Sequence, residues 1–142
     1  MLESTVEGVK QGSSRRGAVA SYLDINHLDS EEFINIRKAV GDLSRKCQSV
    51  AFHNAICIDD NSMYDITSSS GKKRNLWNNI MNNRVETGEP YIMFTGNSNK
   101  NCPEEYKGSI LQSNLCSEIL APVNNTESFV CCLSSLNLAR VS

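Results

Sequence analysis

VAFHNAICIDD, residues 50–60, sets Phe52, Asn54, Ile56 and Ile58 against Ala51, His53, Ala55 and Cys57 and closes on two acids. That alternation fits an extended segment, because strand side chains point in turn to opposite faces. Upstream, AVASYLDI (18–25) is a β-branched and aromatic run of strand length that follows the turn-rich basic stretch GSSRRG (12–17). Between the two runs, Asp29 with Glu32 three residues on reads as a capping box, and Phe33, Ile34, Ile36 and Val40 form an apolar stripe ending at Gly41. TSSSGKKR (67–74) is a polar loop by composition. From Asn75 to Thr87, Leu76, Trp77, Ile80, Met81 and Val85 repeat at helical spacing, and Gly88 is a natural stop. Pro90 opens a short strand, YIMFT (91–95), and GNSNKNCPEEYKG (96–108) reads as loop. SNLCSEIL (113–120) and FVCCLSSLNL (129–138) read as two more extended pieces about a turn at Pro122–Glu127. Strands alternating with helices predict an α/β protein whose strands are largely parallel.

The 142 residues are enough for one domain, or for a piece of one. The net charge of −2, with acids and bases interleaved, offers no field that gathers nucleic acid or an anionic membrane. The charged opening MLESTVEGVK and the lack of any run near 18 apolar residues argue against a signal peptide and a membrane span, so the expected compartment is the cytosol. Six cysteines lie at 47, 57, 102, 116, 131 and 132, mostly within apolar or alternating runs, unlike a secreted disulfide framework. No C-x-x-C occurs, and His27 and His53 have no cysteine at finger-like spacing, so no metal site is expected. Both histidines read as structural, and Cys47, Cys57 and Cys102 as small, partly buried thiols.

QSNLCSEIL (112–120) places an amide, a thiol and a carboxylate at every second position: Asn114, Cys116 and Glu118. On a strand these would share one face, with neighbours roughly 6.5–7 Å apart, the scale of a sugar ring. The plain alternative is a half-buried strand turning its polar side to water. Ser117 on the supposed core face and a thiol on the wet one fit that alternative poorly, and a thiol beside a carboxylate in a polar cleft suggests reactivity.

QSNLCSEI, the downstream CCLSSLNL (131–138), RVETGEPYIMF (84–94) and GVKQGSSRRGAVASYLDINH (8–27) together resemble the catalytic large subunit of class I, aerobic ribonucleotide reductases. The four blocks run in order from about Ser4 to Ala139, in wording closest to phage and bacterial versions. The resemblance implies that residues 1–142 are an internal part of a ten-stranded α/β barrel, with an effector-specificity loop within 1–20 and a finger-loop strand at 110–120. It implies that Cys116 carries the thiyl radical that takes the ribose 3′ hydrogen, that Glu118 accepts the 3′-hydroxyl proton, and that Asn114 bonds the sugar hydroxyls. Leu115 and Ser117 would complete the substrate contacts. A carboxylate near a dry sugar should have its pKa raised by burial, partly offset by the amide. Cys131 matches one half of the redox pair that becomes a disulfide. Adjacent strand residues face opposite ways, so Cys132 would point elsewhere.

Gly12, Arg15, Arg16, Gly17 and Ala18 resemble the mobile loop between the specificity effector and the substrate base, with Arg15 the better match for the contacting arginine. No Gly-Lys-Ser/Thr ends this loop, which excludes a Walker-type phosphate site. The resemblance further implies a ribonucleoside diphosphate substrate, ATP and dNTP effectors, a metal-containing small subunit that supplies the radical, and a thioredoxin- or glutaredoxin-type reductant. It implies no cofactor bound by this chain and, for a phage-encoded protein, the host cytoplasm.

Against a complete large subunit, the strand carrying the redox partner of Cys131 and the tyrosine pair that relays the radical have no counterpart here. SMYDITSSSGKKR (62–74) is also shorter than its counterpart. The isolated chain is therefore expected to be inactive, as a piece of a split subunit or a truncated product that works only with the remaining polypeptide. A non-catalytic remnant acting as an interaction module is the alternative, and a cysteine-based redox or metal protein is a third possibility.

Overall fold

The segment 50–60 forms the middle of a three-stranded parallel sheet in a computed structural model that describes residues 2–9, 16–68, 70–103 and 108–140. Among these the order is α1 (Leu2–Gly8), β1 (Val19–Asp24), α2 (Ser30–Ile34), β2 (Phe52–Ile58), α3 (Asp60–Ser68), α4 (Lys72–Thr87), β3 (Tyr91–Phe94) and α5 (Thr95–Lys100). Single 3-10 turns lie at Leu43–Arg45 and Leu138–Arg140. The sheet order is β1-β2-β3, with Val19 opposite Phe52 and Ala55 opposite Tyr91. Parallel neighbours need crossovers, which α2 supplies between β1 and β2, and α3 with α4 between β2 and β3.

One face of the sheet meets the helices. Ile56 and Ile58 of β2, with Leu23 and Ile92 beside them, pack on Ile25, Ile34, Ile66, Leu76 and Ile80. Each fully buried isoleucine stabilises the fold by about 1.5–3 kcal/mol. The other face carries a smaller cluster of Cys57, Met93 and Ile110, with Tyr22 and Cys102 against it. β2 is thus buried on both sides, because a central parallel strand is covered twice.

The strands at 19–24, 52–58 and 91–94 and the helix ending at Gly88 stand where the sequence puts them. Gly88 has φ +81°, the left-handed cap that glycine adopts freely. Four expectations fail. Asp29 makes no side-chain cap and α2 ends at Ile34. Glu32 pairs instead with Arg45, and Val40 is exposed. The polar loop at 67–74 shrinks because α3 runs to Ser68 and α4 begins at Lys72. Thr95–Lys100 is a helix rather than loop. Neither 113–120 nor 129–138 is a strand: the first is a loop with a turn, and the second is largely exposed and outside the sheet.

Candidate functional site

Tyr22, Ala55 and Tyr91 stand in one register row across the three strands, so all three side chains rise from the face opposite the helices. Ala55 is fully buried and small, which leaves a trough between the two phenols. The loop 108–120 lies over this face. A cavity of about 370 Å³ opens where they meet, with Tyr22, Tyr91, Phe94, Asn97, Ser113 and Ser117 among its lining residues.

The loop turns at Asn114–Ser117. The Ser117 amide donates to the Asn114 carbonyl at 3.1 Å, making Leu115 and Cys116 the central residues. Ser117 takes φ +65°, a left-handed conformation that costs a non-glycine residue about 1 kcal/mol. The Asn114 side chain offsets that cost. Its Oδ1 accepts the amides of Glu118 at 3.1 Å and Ile119 at 3.0 Å and the Ser113 hydroxyl at 3.2 Å. With the oxygen committed to the loop, the carboxamide nitrogen is the donor left for a ligand. Cys116 and Glu118 are exposed, so the burial expected to act on the Glu118 carboxyl is not supplied by the described residues.

Three contacts fasten the loop to the frame. Asn99 of α5 imitates a peptide unit: its Nδ2 donates to the Ile110 carbonyl at 2.9 Å and its Oδ1 accepts the Ile110 amide at 2.7 Å. The Cys57 thiol donates to the Leu111 carbonyl at 3.4 Å. The Tyr22 hydroxyl donates to the Asn114 carbonyl at 3.0 Å and lies 3.4 Å from Ser117 Oγ. Burial, and after it the charge of Asp24, pushes the Cys57 thiol up to about 11. Burial also raises the Tyr91 phenol, followed by the charge of Glu89.

A polar chain flanks the site. Glu89, 6% exposed, takes His53 Nδ1 at 2.6 Å on one oxygen, and Arg37 Nε at 3.4 Å and the Asn54 amide at 3.3 Å on the other. His53 stacks on Tyr91 with ring centres 5.8 Å apart. A buried carboxylate shared this way needs its partners, and the arrangement fits His53 as structural. His27 accepts the Asp29 amide through Nδ1 within the turn before α2.

Asn114, Leu115, Cys116, Ser117 and Glu118 are thus gathered by a turn, not by the period of a strand. The face-alternation argument for choosing Cys131 over Cys132 lapses too, since both are exposed on a stretch outside the sheet. Gly12 and Arg15 lie outside the described residues. Arg16 and Ala18 are exposed just ahead of β1, and a Cβ on Gly17 would meet Val6 Cγ1 of α1 at 3.1 Å. Among the described residues all six cysteines are free, no group of three His, Cys, Asp or Glu is placed to hold a metal, and no helix is long and apolar enough to cross a membrane. Tyr22, Asn99, Tyr91 and Glu89 were not singled out from sequence. Only the strand register brings the first and third together, and nothing in GNSNKN marks Asn99 as a peptide mimic.

A family model described as the ribonucleotide reductase barrel domain matches residues 1–71 and 61–142. A frog virus 3 (isolate Goorha) protein bearing the name of a ribonucleoside-diphosphate reductase large subunit is 36% identical over 157 aligned positions, covering 98% of this chain and 27% of its own. The large subunit of invertebrate iridescent virus 3 is 28% identical over 208 positions, 96% of this chain and 33% of its own. Subunit alpha of Chlamydia trachomatis is 30% identical over 180 positions, 99% of this chain and 17% of its own. The chain spans no more than about a third of the length of these relatives.

Proposed function

The chain belongs to the ribonucleotide reductase barrel-domain family, and from that premise we propose that it forms the radical-bearing part of a ribonucleoside-diphosphate reductase large subunit, working together with the rest of the subunit. The observation that carries this reading is the Asn114–Ser117 turn, which is fastened over the Tyr22–Ala55–Tyr91 row and leaves Cys116 exposed with Glu118 two residues on. A thiyl radical at Cys116 removes the 3′ hydrogen of the ribose. Glu118 accepts the 3′-hydroxyl proton as the 2′-hydroxyl leaves as water, and the Asn114 amide nitrogen donates to a sugar oxygen. Cys131 and a cysteine of the remaining polypeptide supply two electrons and close a disulfide, which a thioredoxin- or glutaredoxin-type reductant reopens. Leu115 and Ser117 line the substrate. Gly12, Arg15, Arg16, Gly17 and Ala18 respond to a nucleotide effector, and a metal-containing small subunit supplies the radical.

Mixing the chain with the remaining large-subunit polypeptide, the small subunit, a ribonucleoside diphosphate and a dithiol tests this reading. Deoxynucleotide should form, and Cys116→Ser should reduce it to background while the fold and mixing partners stay the same. Turnover that survives Cys116→Ser overturns the assignment. A cellular effect of the chain that survives the same change favours the interaction-module alternative.

A further inference from the structure

The Asn114 carbonyl has two lone pairs and the structure uses both: one takes the Ser117 amide that closes the turn, the other the Tyr22 hydroxyl. We propose that Tyr22 is a positioning residue for Cys116, its phenol fixing the acceptor on which the cysteine-bearing turn closes. The role rests on the reading of Cys116 as the reacting group. Tyr22 is well placed for it. Its backbone is held in β1 opposite Ala55, its ring packs with Cys57, Met93 and Ile110, and its hydroxyl spans from the sheet to the loop. Ser117 holds an unfavourable φ, so the turn needs support beyond its own closing bond. The other two fasteners act at Ile110 and Leu111, three or more residues before the turn starts. Tyr22 grips the turn itself, and its hydroxyl also lies within reach of Ser117 Oγ.

Tyr22→Phe keeps the ring and removes only the hydroxyl. In the purified chain the Ser117 amide should exchange with solvent about 3–10 times faster, and alkylation of Cys116 by iodoacetamide should change by at least about threefold, as the loss of one hydrogen bond implies. Cys131 and Cys132 should alkylate at the wild-type rate, and the thermal midpoint should move by no more than a few degrees. Unchanged exchange and alkylation at the turn overturn the proposal. So does an equal acceleration at every cysteine and amide, which would mark Tyr22 as merely structural.

Should the variant fail to fold, the wild-type chain still decides. The Ser117 amide should be several-fold better protected than that of Glu127, whose acceptor, Asn124 Oδ1, sits in an exposed turn. Equal protection counts against the phenol. In the reconstituted enzyme, Tyr22→Phe should lower kcat with KM for the diphosphate unchanged. If the wild type forms no deoxynucleotide, the reductase reading falls, while the exchange result still judges Tyr22.

Discussion

Cys57 illustrates how one side chain serves both faces of the problem. It is a core residue of the smaller cluster and, through its thiol proton, a donor to the loop at Leu111. With the thiol pushed up to about 11, only about one part in a thousand is thiolate at pH 8. Per-site mass spectrometry should therefore find Cys57 alkylated at least about a hundredfold more slowly than Cys131. The linkage sign follows. The folded chain holds this proton more tightly than the unfolded one, so the stabilisation is complete below the ordinary value of 9.0 and is lost as pH rises towards 11. Denaturant midpoints should fall over that window in the wild type and fall less in Cys57→Ala. An equal decline in both would remove Cys57 as the cause. From sequence Cys57 read as a thiol without a task, because its acceptor is a carbonyl 54 residues away along the chain.

Among the elements, α3 shows what a short helix depends on. Asp59 Oδ1 accepts the Ser62 amide at 2.8 Å, and hydrogen bonding to Ser62 lowers the Asp59 pKa. Asp59→Ala should cost about 1 kcal/mol in chemical denaturation. Asp59→Asn should keep most of the stability at pH 7 and abolish its share of the acid-limb loss, which in the wild type appears as pH falls through the lowered carboxylate value. A single helix boundary thus gives two separable readings. The helix was not anticipated because its apolar residues are few and only Ser62 and Ile66 are buried. α5 lacks an apolar stripe altogether, and its Asn99 and Asn101 side chains bond back to carbonyls four residues earlier. The strands were legible because alternation and β-branching persist over Val19–Asp24, Phe52–Ile58 and Tyr91–Phe94. At 112–120 the same alternation misled. Asn114 obeys a period of two by coincidence, while its side chain does what asparagine commonly does in turns, accepting backbone amides a few residues on. The sequence sets Glu118 two residues after Cys116, but the turn that Asn114 organises around Cys116 was not foreseen.

At the scale of the whole molecule, the sheet ends on β1 and β3, with no further strand paired to either among the described residues. The stretch after the Asn124 turn exposes Val130, Leu133 and Leu136, and Leu138 of the last 3-10 turn is exposed as well. Open edges and exposed leucines each favour association. Sedimentation velocity should show mass rising with concentration for the wild type, and Leu133→Glu with Leu136→Glu should shift it towards monomer. A wild type that stays monomeric at all concentrations contradicts this. The frame beneath should tolerate those surface changes, whereas Ile56→Ala, at a fully buried position between helices and sheet, should cost about 2–5 kcal/mol in denaturant titration. The attachment of the loop to α5 is narrower than either surface, since a single carboxamide answers both the amide and the carbonyl of Ile110. Slow hydrolytic ageing of that side chain to aspartate would leave two acceptors facing one donor and one carbonyl, so the chemical lifetime of one amide sets how long Ile110 stays tied to α5 on both sides.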